Sequence, residues 1–582
     1  MTKRFLFICS LLILAALPRV WNLGKYSLFV DEKYTLLNAQ GICVGGSNQP
    51  ELQTTGYFTN QDFWKTRSAK DYFEAVARSD FGTHIVYNYL LHAWTIPFGY
   101  SDAAMRSLSV LLGLVAIFLV YHLVNNYLNN IYIAYFAALL VAFDPLMVTL
   151  NRIARSYSLS FVLLLLATLI FLKITEKERI DKSKIALIAL YTLLVALSIL
   201  NHYLNFLLPL VHGILFISMN RNAKEWGLMA LAAATVSGVL LWWIQAGGGQ
   251  YSLKFLADKN ALHYQLAQLP PEKNPMRGTA DPSTFQHVFT KATGLFFDLS
   301  IVGNRLFEFL KGVKNVLISF SIGLILTFFA LQKLHFSKFI HLSLLLGVLL
   351  SGSFFFIGPF YKLFFSSAFF LLLFLALESF YQKYQQGTQT SKYFLASVAL
   401  SVLLPLLYII FDAFKSGHTT ALSQRYIGFS SPFMAIFITF AFLKYLQYPK
   451  WTQLMGISLL FYQGIQTYRD IQSIVLDTSP KYTFFSEPRI PNPYMQIAEK
   501  VNNLYEKGDT LLIPNRNDGL YAGFVSEDAL KIEDAQYVNM YLSKNKTIIQ
   551  RINLSEPDLF ILKKADGSQQ ILFDFEGRKY RY

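Results

Sequence analysis

Uninterrupted apolar blocks recur along most of this chain and are separated by short polar segments. Each block approaches the roughly 20 residues that an α-helix needs to cross the hydrocarbon core of a bilayer. The thirteen blocks cover residues 5–22, 103–124, 131–149, 157–174, 185–200, 203–219, 227–245, 314–331, 339–357, 361–380, 393–411, 427–445 and 452–468. This pattern predicts a polytopic α-helical membrane protein with about 13 transmembrane helices.

The composition supports the same class of protein. Hydrophobic residues make up 54% of the 582 residues and charged residues only 15%, whereas a soluble chain is typically about a quarter charged. The high apolar and aromatic content excludes a disordered chain. Only two cysteines are present, Cys9 and Cys43, so a disulfide scaffold is excluded as well.

The net charge of +15 is better explained as an orientation signal than as a nucleic-acid-binding surface. Residues 469–582 hold 15 basic and 16 acidic residues, so the surplus lies largely in short loops between apolar blocks. Cytoplasmic loops of membrane proteins are enriched in Lys and Arg. This rule predicts a cytoplasmic N-terminus in an inner or plasma membrane. The segments expected outside are the loops 24–102, 246–312 and 412–426 and the C-terminal tail.

Two apolar segments leave alternatives open. The block 5–22 could belong to a cleaved signal peptide, but no clear small-residue cleavage site follows it, which favours a retained first helix. The segment 85–98 contains Asn88 and His92 and is only about 14 residues long, more typical of an interfacial helix than of a spanning one. If it crossed, the basic loops would change sides.

The tail is expected to form a small extracytoplasmic α/β domain at 469–582, after a transmembrane region at 1–468. Prolines 480, 488, 491 and 493 mark a linker between them. The apolar pattern then predicts a helix near 494–505 and strands at 510–514, 548–552, 559–562 and 570–575.

Acidic residues at the outer rim are the first candidates for chemistry. Asp31 and Glu32 follow the first apolar block, and Asp80 lies further along the same loop. A carboxylate at the bilayer edge is costly unless it is paired, which makes it a functional candidate. The alternative is a solvated pair of loop acids without a role.

Six short motifs on the predicted outer side carry a family resemblance. In order they are Asp31-Glu32, Asp80 with Leu91-His92-Ala93-Trp94, Met105-Arg106-Ser107-Leu108-Ser109, Ala154-Arg155-Ser156-Tyr157-Ser158-Leu159, His202-Tyr203 and Arg425-Tyr426. This order resembles the GT-C membrane glycosyltransferases, in the branch of protein O-mannosyltransferases and aminoarabinose (lipid A) transferases. Many members have His-Pro-Pro-Leu where this chain has Thr83-His84-Ile85-Val86.

The resemblance implies transfer of a hexose or pentose from a polyprenyl-phosphate carrier to a lipid, protein or glycan hydroxyl, with inversion. Asp31 is the expected base, and Glu32 or Asp80 would orient the acceptor, a donor ligand or a metal. The donor phosphate needs cationic and hydrogen-bonding groups. The candidates for that role are Arg106, Arg155, Tyr157, His202, Tyr203, Arg425 and Tyr426.

Structural interpretations of the same residues remain open. Arg106 could extend along a helix end towards water, and His202 with Tyr203 could be an interfacial aromatic pair. No cofactor is required by the sequence, although His84, His92 and Asp80 could hold a divalent metal.

Two other functions remain possible, a transporter or flippase for a lipid-linked glycan and a glycan polymerase or ligase. A transporter should carry inverted repeats and charges at mid-membrane, and the chain has no evident repeat. The transferase hypothesis predicts that Asp31, Arg155 and Arg425 converge in one outward-facing cavity.

Overall fold

The computed structural model describes residues 2–65, 67–79, 84–220, 222–310, 312–332, 360–478, 481–482, 488–516 and 530–577. Over these residues the chain is mostly helical, with a small β-sheet close to the C-terminus. The helices in chain order are α1 (Thr2–Val20), α2 (Val30–Ala39), α3 (Asn60–Phe63), α4 (Ala69–Ser79), α5 (Ile85–Phe98), α6 (Asp102–Leu128), α7 (Ile131–Phe143), α8 (Pro145–Asn151), α9 (Tyr157–Glu176), α10 (Lys182–Asn201), α11 (Leu207–Met219), α12 (Ala223–Ala246), α13 (Gly249–Ala267), α14 (Phe285–Asp298), α15 (Leu306–Leu310), α16 (Val313–Leu331), α17 (Phe360–Gln386), α18 (Gln389–Ser416), α19 (Gln424–Ile427), α20 (Ser431–Leu443), α21 (Lys450–Val475), α22 (Pro493–Leu504) and α23 (Glu533–Asn539).

Within the described residues, eight helices are long and apolar enough to cross a membrane. They are α6, α9, α10, α12, α16, α17, α18 and the segment Gln424–Gln447, which contains α19 and α20. The bent pair α7 and α8 makes a ninth if it is one span, and two further apolar helices, Leu6–Val20 and Tyr203–Met219, are shorter. The chain is therefore an integral membrane protein of the predicted helical class, but the count of 13 helices is not confirmed. The predicted block 339–357 lies outside the described residues.

Two predicted blocks differ in detail from a simple span. The block 131–149 bends by 63° between α7 and α8, because Asp144 caps α8 through the Met147 N–H at 3.1 Å and Pro145 has no N–H to continue the ladder. The bend between α7 and α8 sends the chain into the turn at 152–156, which reaches the candidate site.

Helix α21 carries polar side chains at Gln463, Gln466 and Asp470, all of them buried.

The C-terminal sheet has five strands in the order β1-β3-β2-β4-β5. The strands are β1 (Phe58–Thr59), β2 (Thr510–Pro514), β3 (Ile549–Asn553), β4 (Leu559–Lys563) and β5 (Gln569–Asp574). Strands β2 and β3 are parallel, and the other neighbouring pairs are antiparallel. The predicted helix and the four predicted strands of the tail are thus all present, within a residue or two of their predicted ends.

The loop 24–102, which was predicted to lie outside the membrane, supplies the edge strand of that sheet. In β1, Phe58 pairs with Gln550 and Thr59 with Ile549. The amide of Asn60 then donates to the carbonyls of Ser543 and Lys546, each at 2.8 Å, and accepts from the Ile548 N–H at 2.9 Å. The tail was predicted as a separate soluble domain, but its sheet is shared with the loop. Helix α21 also continues past the predicted boundary at 468 to Val475.

We predict that Asn60→Ala destabilises the C-terminal sheet domain. One side chain makes three hydrogen bonds at the junction, and each contributes about 1 kcal/mol when its partner would otherwise be buried unpaired. The unfolding temperature of the purified chain in detergent should fall for Asn60→Ala. It should hardly change for the control Gln61→Ala, because the Gln61 side chain is exposed and makes one long contact of 3.5 Å. Equal shifts for the two variants would contradict this assignment.

Candidate active site

A buried ion pair between Glu32 and Arg106 lies beneath the candidate site. Arg106 on α6 donates from Nε to Glu32 Oε1 and from Nη2 to Oε2, both at 2.8 Å. The Ala154 N–H adds a bond of 2.8 Å, and Arg489 lies 3.5 Å from Oε2. Burial alone would raise the pKa of Glu32, but the charge of Arg106 and then that of Arg489 outweigh burial, so the pKa lies below its ordinary value.

The contacts of Arg106 account for all five of its N–H groups. Besides Glu32, Nη1 donates to the carbonyls of Leu23 and Tyr26, and Nη2 to that of Ser27, at 2.7–2.8 Å. No donor is left for a phosphate, and the Glu32 oxygens are equally occupied. These contacts favour a structural role for the pair over the phosphate contact predicted for Arg106 and the substrate role predicted for Glu32.

Asp31 faces a different direction from its neighbour. Its carboxylate lies 3.4 Å from Nη1 of Arg425, and each of these two side chains is about a quarter exposed. Arg155, on the turn between α8 and α9, donates from Nη1 to the Asp31 carbonyl at 3.1 Å and to Thr35 Oγ1 at 3.0 Å. Asp31, Arg155 and Arg425 therefore lie close together, whereas the outward-facing cavity predicted around them stays a prediction.

His84 holds the other side of Arg155, with its Nε2 2.9 Å from Nη2 of the arginine. Because a guanidinium can only donate, Nε2 must accept, so Nδ1 carries the hydrogen and donates to the hydroxyl of Ser156. Burial, reinforced by the charge of Arg155, keeps the pKa of His84 well below its usual range. The residue also adopts a left-handed backbone with φ of 71° at the start of α5, which is uncommon for a side chain with a Cβ.

Aromatic rings extend the cluster. The ring of Tyr157 lies 6.3 Å from that of His202, which lies 6.5 Å from Tyr426. Arg425 stacks over the Tyr426 ring at 4.9 Å. Burial and the charges of Arg155 and Arg425 lower the pKa of His202 to about 4, so this imidazole is neutral at pH 7.

The remaining sequence candidates lie elsewhere or cannot be placed. The Tyr203 hydroxyl accepts from Trp243 Nε1 at 3.1 Å and packs with the small apolar cluster around Val76. Asp80 lies outside the described residues. His92 packs edge-on against Tyr72 at 5.2 Å. Among the described residues, no group of three His, Cys, Asp or Glu side chains is placed to hold a metal.

The loop 246–312 is attached next to the cluster. Lys291 on α14 pairs with Asp281 at 3.0 Å, and the Thr419 N–H donates to the Asp281 carbonyl at 3.0 Å. At its other end, α13 meets α4 through Ser252, whose hydroxyl donates to the Ala77 carbonyl. The loop thus connects α4 with the segment that leads into Arg425.

Sequence reasoning assigned no phosphate or structural role to three residues that complete this arrangement. His84 was considered only as a metal ligand, and Thr35 and Arg489 were not singled out. The departure at Thr83-His84-Ile85-Val86 was the one available signal for His84, whereas Arg489 lies in a proline-marked linker far along the chain.

The comparison with protein families bears on this same region. Residues 83–242 match the family model described as dolichyl-phosphate-mannose-protein mannosyltransferase, a GT-C family. The predicted family resemblance is thereby confirmed over this stretch. It contains His84, Arg106, Arg155, Tyr157 and His202, whereas Asp31 and Arg425 lie outside it. No curated protein matches the chain.

Solved structures of two GT-C proteins show low similarity to the chain. The Archaeoglobus fulgidus oligosaccharyltransferase in its apo form is 13% identical, with a TM-score of 0.40, over 86% of this chain and 58% of that protein. ArnT from Cupriavidus metallidurans in the apo state is 12% identical, with a TM-score of 0.34, over 93% of this chain and 85% of that protein. This chain therefore spans less than two thirds of the oligosaccharyltransferase.

We predict that Arg106→Met is strongly destabilising, by about 3–5 kcal/mol, because it leaves the Glu32 carboxylate buried without its partner. The double variant Arg106→Met/Glu32→Gln should regain part of that loss, since the buried charge is then gone. Thermal unfolding in detergent measures both effects. As a control, Glu51→Gln breaks the exposed pair with Lys65 and should cost no more than about 1 kcal/mol. A double variant less stable than Arg106→Met would contradict the assignment.

The buried neutral state of His84 predicts a pH dependence. Unfolded histidine binds a proton below its ordinary pKa of 6.5, whereas folded His84 resists it, so stability is lost as pH falls below about 6.5. In His84→Asn, which tolerates the left-handed backbone and does not titrate, thermal stability should fall less steeply from pH 6.5 to 5. The control His287→Asn, at a surface residue, should keep the wild-type slope. Parallel curves for wild type and His84→Asn would show that this account of His84 is wrong.

Proposed function

We propose that this protein is a glycosyltransferase that moves a sugar from a polyprenyl-phosphate carrier to an acceptor hydroxyl at the outer face of the membrane, with inversion at the anomeric carbon. The matched family is described by a dolichyl-phosphate-linked sugar donor, and the integral membrane fold suits a donor whose tail stays in the bilayer. The observation that carries the proposal is the meeting of Asp31 with Arg155 and Arg425.

The charge of this cluster suits the donor. Arg155 and Arg425 contribute two positive charges and Asp31 one negative charge, and His84 and His202 are neutral at pH 7. The surplus of one positive charge matches the single negative charge of a phosphodiester. It also favours the phosphate monoester that leaves, which gains negative charge as the bond breaks.

In the proposed reaction, the acceptor oxygen attacks the anomeric carbon while its proton passes to the Asp31 carboxylate. The bond between the anomeric carbon and the phosphate oxygen breaks, and its electron pair stays on the phosphate. Arg425 would contact that oxygen, since its side chain is partly exposed next to Asp31. Arg155, held by the Asp31 carbonyl, Thr35 and His84, would place its positive charge beside the phosphate with little loss of side-chain freedom. Tyr157, His202 and Tyr426 would line the sugar and phosphate, and Tyr203 would act only through Trp243.

We expect Asp31→Asn to lower kcat by a factor of about 100 or more, the usual contribution of a positioned base. The measurement is transfer of a labelled sugar from polyprenyl phosphate in membranes that contain the native acceptors. Binding of labelled polyprenyl phosphate should stay close to wild type in Asp31→Asn. In Arg425→Gln, by contrast, both binding and transfer should fall.

The matched control is Glu51→Gln, which removes another carboxylate of an outer-loop ion pair and should leave transfer unchanged. Undiminished transfer by Asp31→Asn would remove Asp31 from the role of base. Carrier binding that is unaffected in Arg425→Gln would contradict the phosphate site.

The proposal extends to topology and substrate. A cytoplasmic N-terminus and an outer active site in the inner or plasma membrane can be tested by labelling single cysteines in the loops. Mass spectrometry of glycolipids and glycoproteins from a deletion strain would identify the sugar and show whether the acceptor is a lipid, a protein or a glycan.

A further inference from the structure

A small cavity next to the Glu32–Arg106 pair has no part in the proposed reaction. Its volume is about 30 Å³, and its lining includes three arginines, Arg106, Arg152 and Arg489, with Thr149 and Asp477. A single water needs roughly 10–15 Å³ of such space. The cavity therefore has room for about two waters or for one compact ion.

The charges around this cavity do not balance. Arg106 is paired with Glu32, and Arg489 is paired with Asp477 at 2.7 Å. Arg152 instead donates from Nη1 to the backbone carbonyls of Pro18, Arg19 and Trp21 at 2.7–3.0 Å. Across the described residues, no carboxylate lies within ion-pairing distance of Arg152. Among the described residues, three guanidinium groups thus share two carboxylates, which leaves a surplus of one positive charge.

Hydrogen-bond donors are also left over at this place. Thr149 is 2% exposed, and its hydroxyl has no partner within the described part of the chain. Arg152 is 9% exposed, and its Nε and Nη2 groups make no bond to a described residue. Leaving a buried hydroxyl such as that of Thr149 unpaired costs about 1–3 kcal/mol. The N–H groups of Arg152 lie in the same cavity, so this place lacks a hydrogen-bond acceptor.

We propose that this cavity is a binding site for a monovalent inorganic anion of the size of chloride, held by the N–H groups of Arg152 and the hydroxyl of Thr149. One such ion supplies the acceptor that both groups lack and balances the surplus charge. Burial and the charges of Arg106 and Arg489 lower the pKa of Arg152 to about 10, in the sense expected for a cation in a positive environment. A bound anion relieves that repulsion.

The position of the cavity suggests what the ion does. Arg152 reaches the end of α1, the turn at 152–156 carries Arg155, and Arg489 with Asp477 belongs to the linker before the outer domain. The ion would therefore stabilise the junction of three segments and keep the outer domain attached to the membrane region. It would do so without contact to the sugar donor.

The test compares thermal unfolding of the full chain, purified in detergent, in sodium chloride and in sodium gluconate at equal ionic strength and pH. We expect the unfolding temperature to rise saturably with chloride, by roughly 2 °C or more at high occupancy. Thr149→Val removes the hydroxyl without breaking a described hydrogen bond and should raise the half-saturating chloride concentration several-fold. Thr149→Ser, which keeps the hydroxyl, should resemble wild type. Arg152→Lys keeps the charge but loses the fork, and it should weaken the chloride effect.

Crystals grown in bromide give a second readout. An anomalous peak between Arg152 and Thr149 is expected in wild type and should be weaker in Thr149→Val. Equal unfolding temperatures in chloride and gluconate would overturn the proposal. So would an unchanged chloride response in Thr149→Val and Arg152→Lys, or bromide peaks found only elsewhere on the protein.

Discussion

The arrangement of the candidate site depends on the buried ion pair between Glu32 and Arg106. A carboxylate and a guanidinium without access to water are stable only when nearly every donor and acceptor is used, and here the backbone of Ala154 and the side chain of Arg489 complete the set. These partners come from four distant parts of the chain. The contacts of the buried Glu32–Arg106 pair therefore hold four segments together. They are the loop after α1, the start of α6, the turn before α9 and the linker to the C-terminal sheet domain.

Asp31 and Glu32 have opposite roles because they lie in the first turn of a helix. Successive residues there point about 100° apart, so Glu32 can face inward to Arg106 while Asp31 faces Arg425 at the surface of the cluster. Arg155 connects the two ion pairs, since it bonds the Asp31 carbonyl and follows directly after Ala154, which bonds Glu32. The buried Glu32–Arg106 pair thereby positions the partly exposed Asp31–Arg425 pair.

Local patterns were sufficient for much of the fold. Apolar blocks predicted the long helices, and short β-like apolar runs predicted the strands of the tail, because both signals are carried by neighbouring residues. The edge strand at Phe58–Thr59 pairs with residues hundreds of positions away, and Tyr203 bonds Trp243 on another helix, so neither contact follows from neighbouring residues. Likewise, the adjacent acids Asp31 and Glu32 look equivalent in the sequence. They are distinguished only in the structure, where Glu32 faces Arg106 in the interior.

Lys33 extends this arrangement to the C-terminal sheet domain. Its ammonium group lies 4.9 Å from the ring centres of both Tyr494 and Tyr537, and the side chain is buried. Three consecutive charged residues thus contact three different parts of the protein: Asp31 meets Arg425, Glu32 meets Arg106, and Lys33 meets two tyrosines of the tail. The helix that carries Asp31 and Glu32 therefore also contacts the sheet domain, through Lys33.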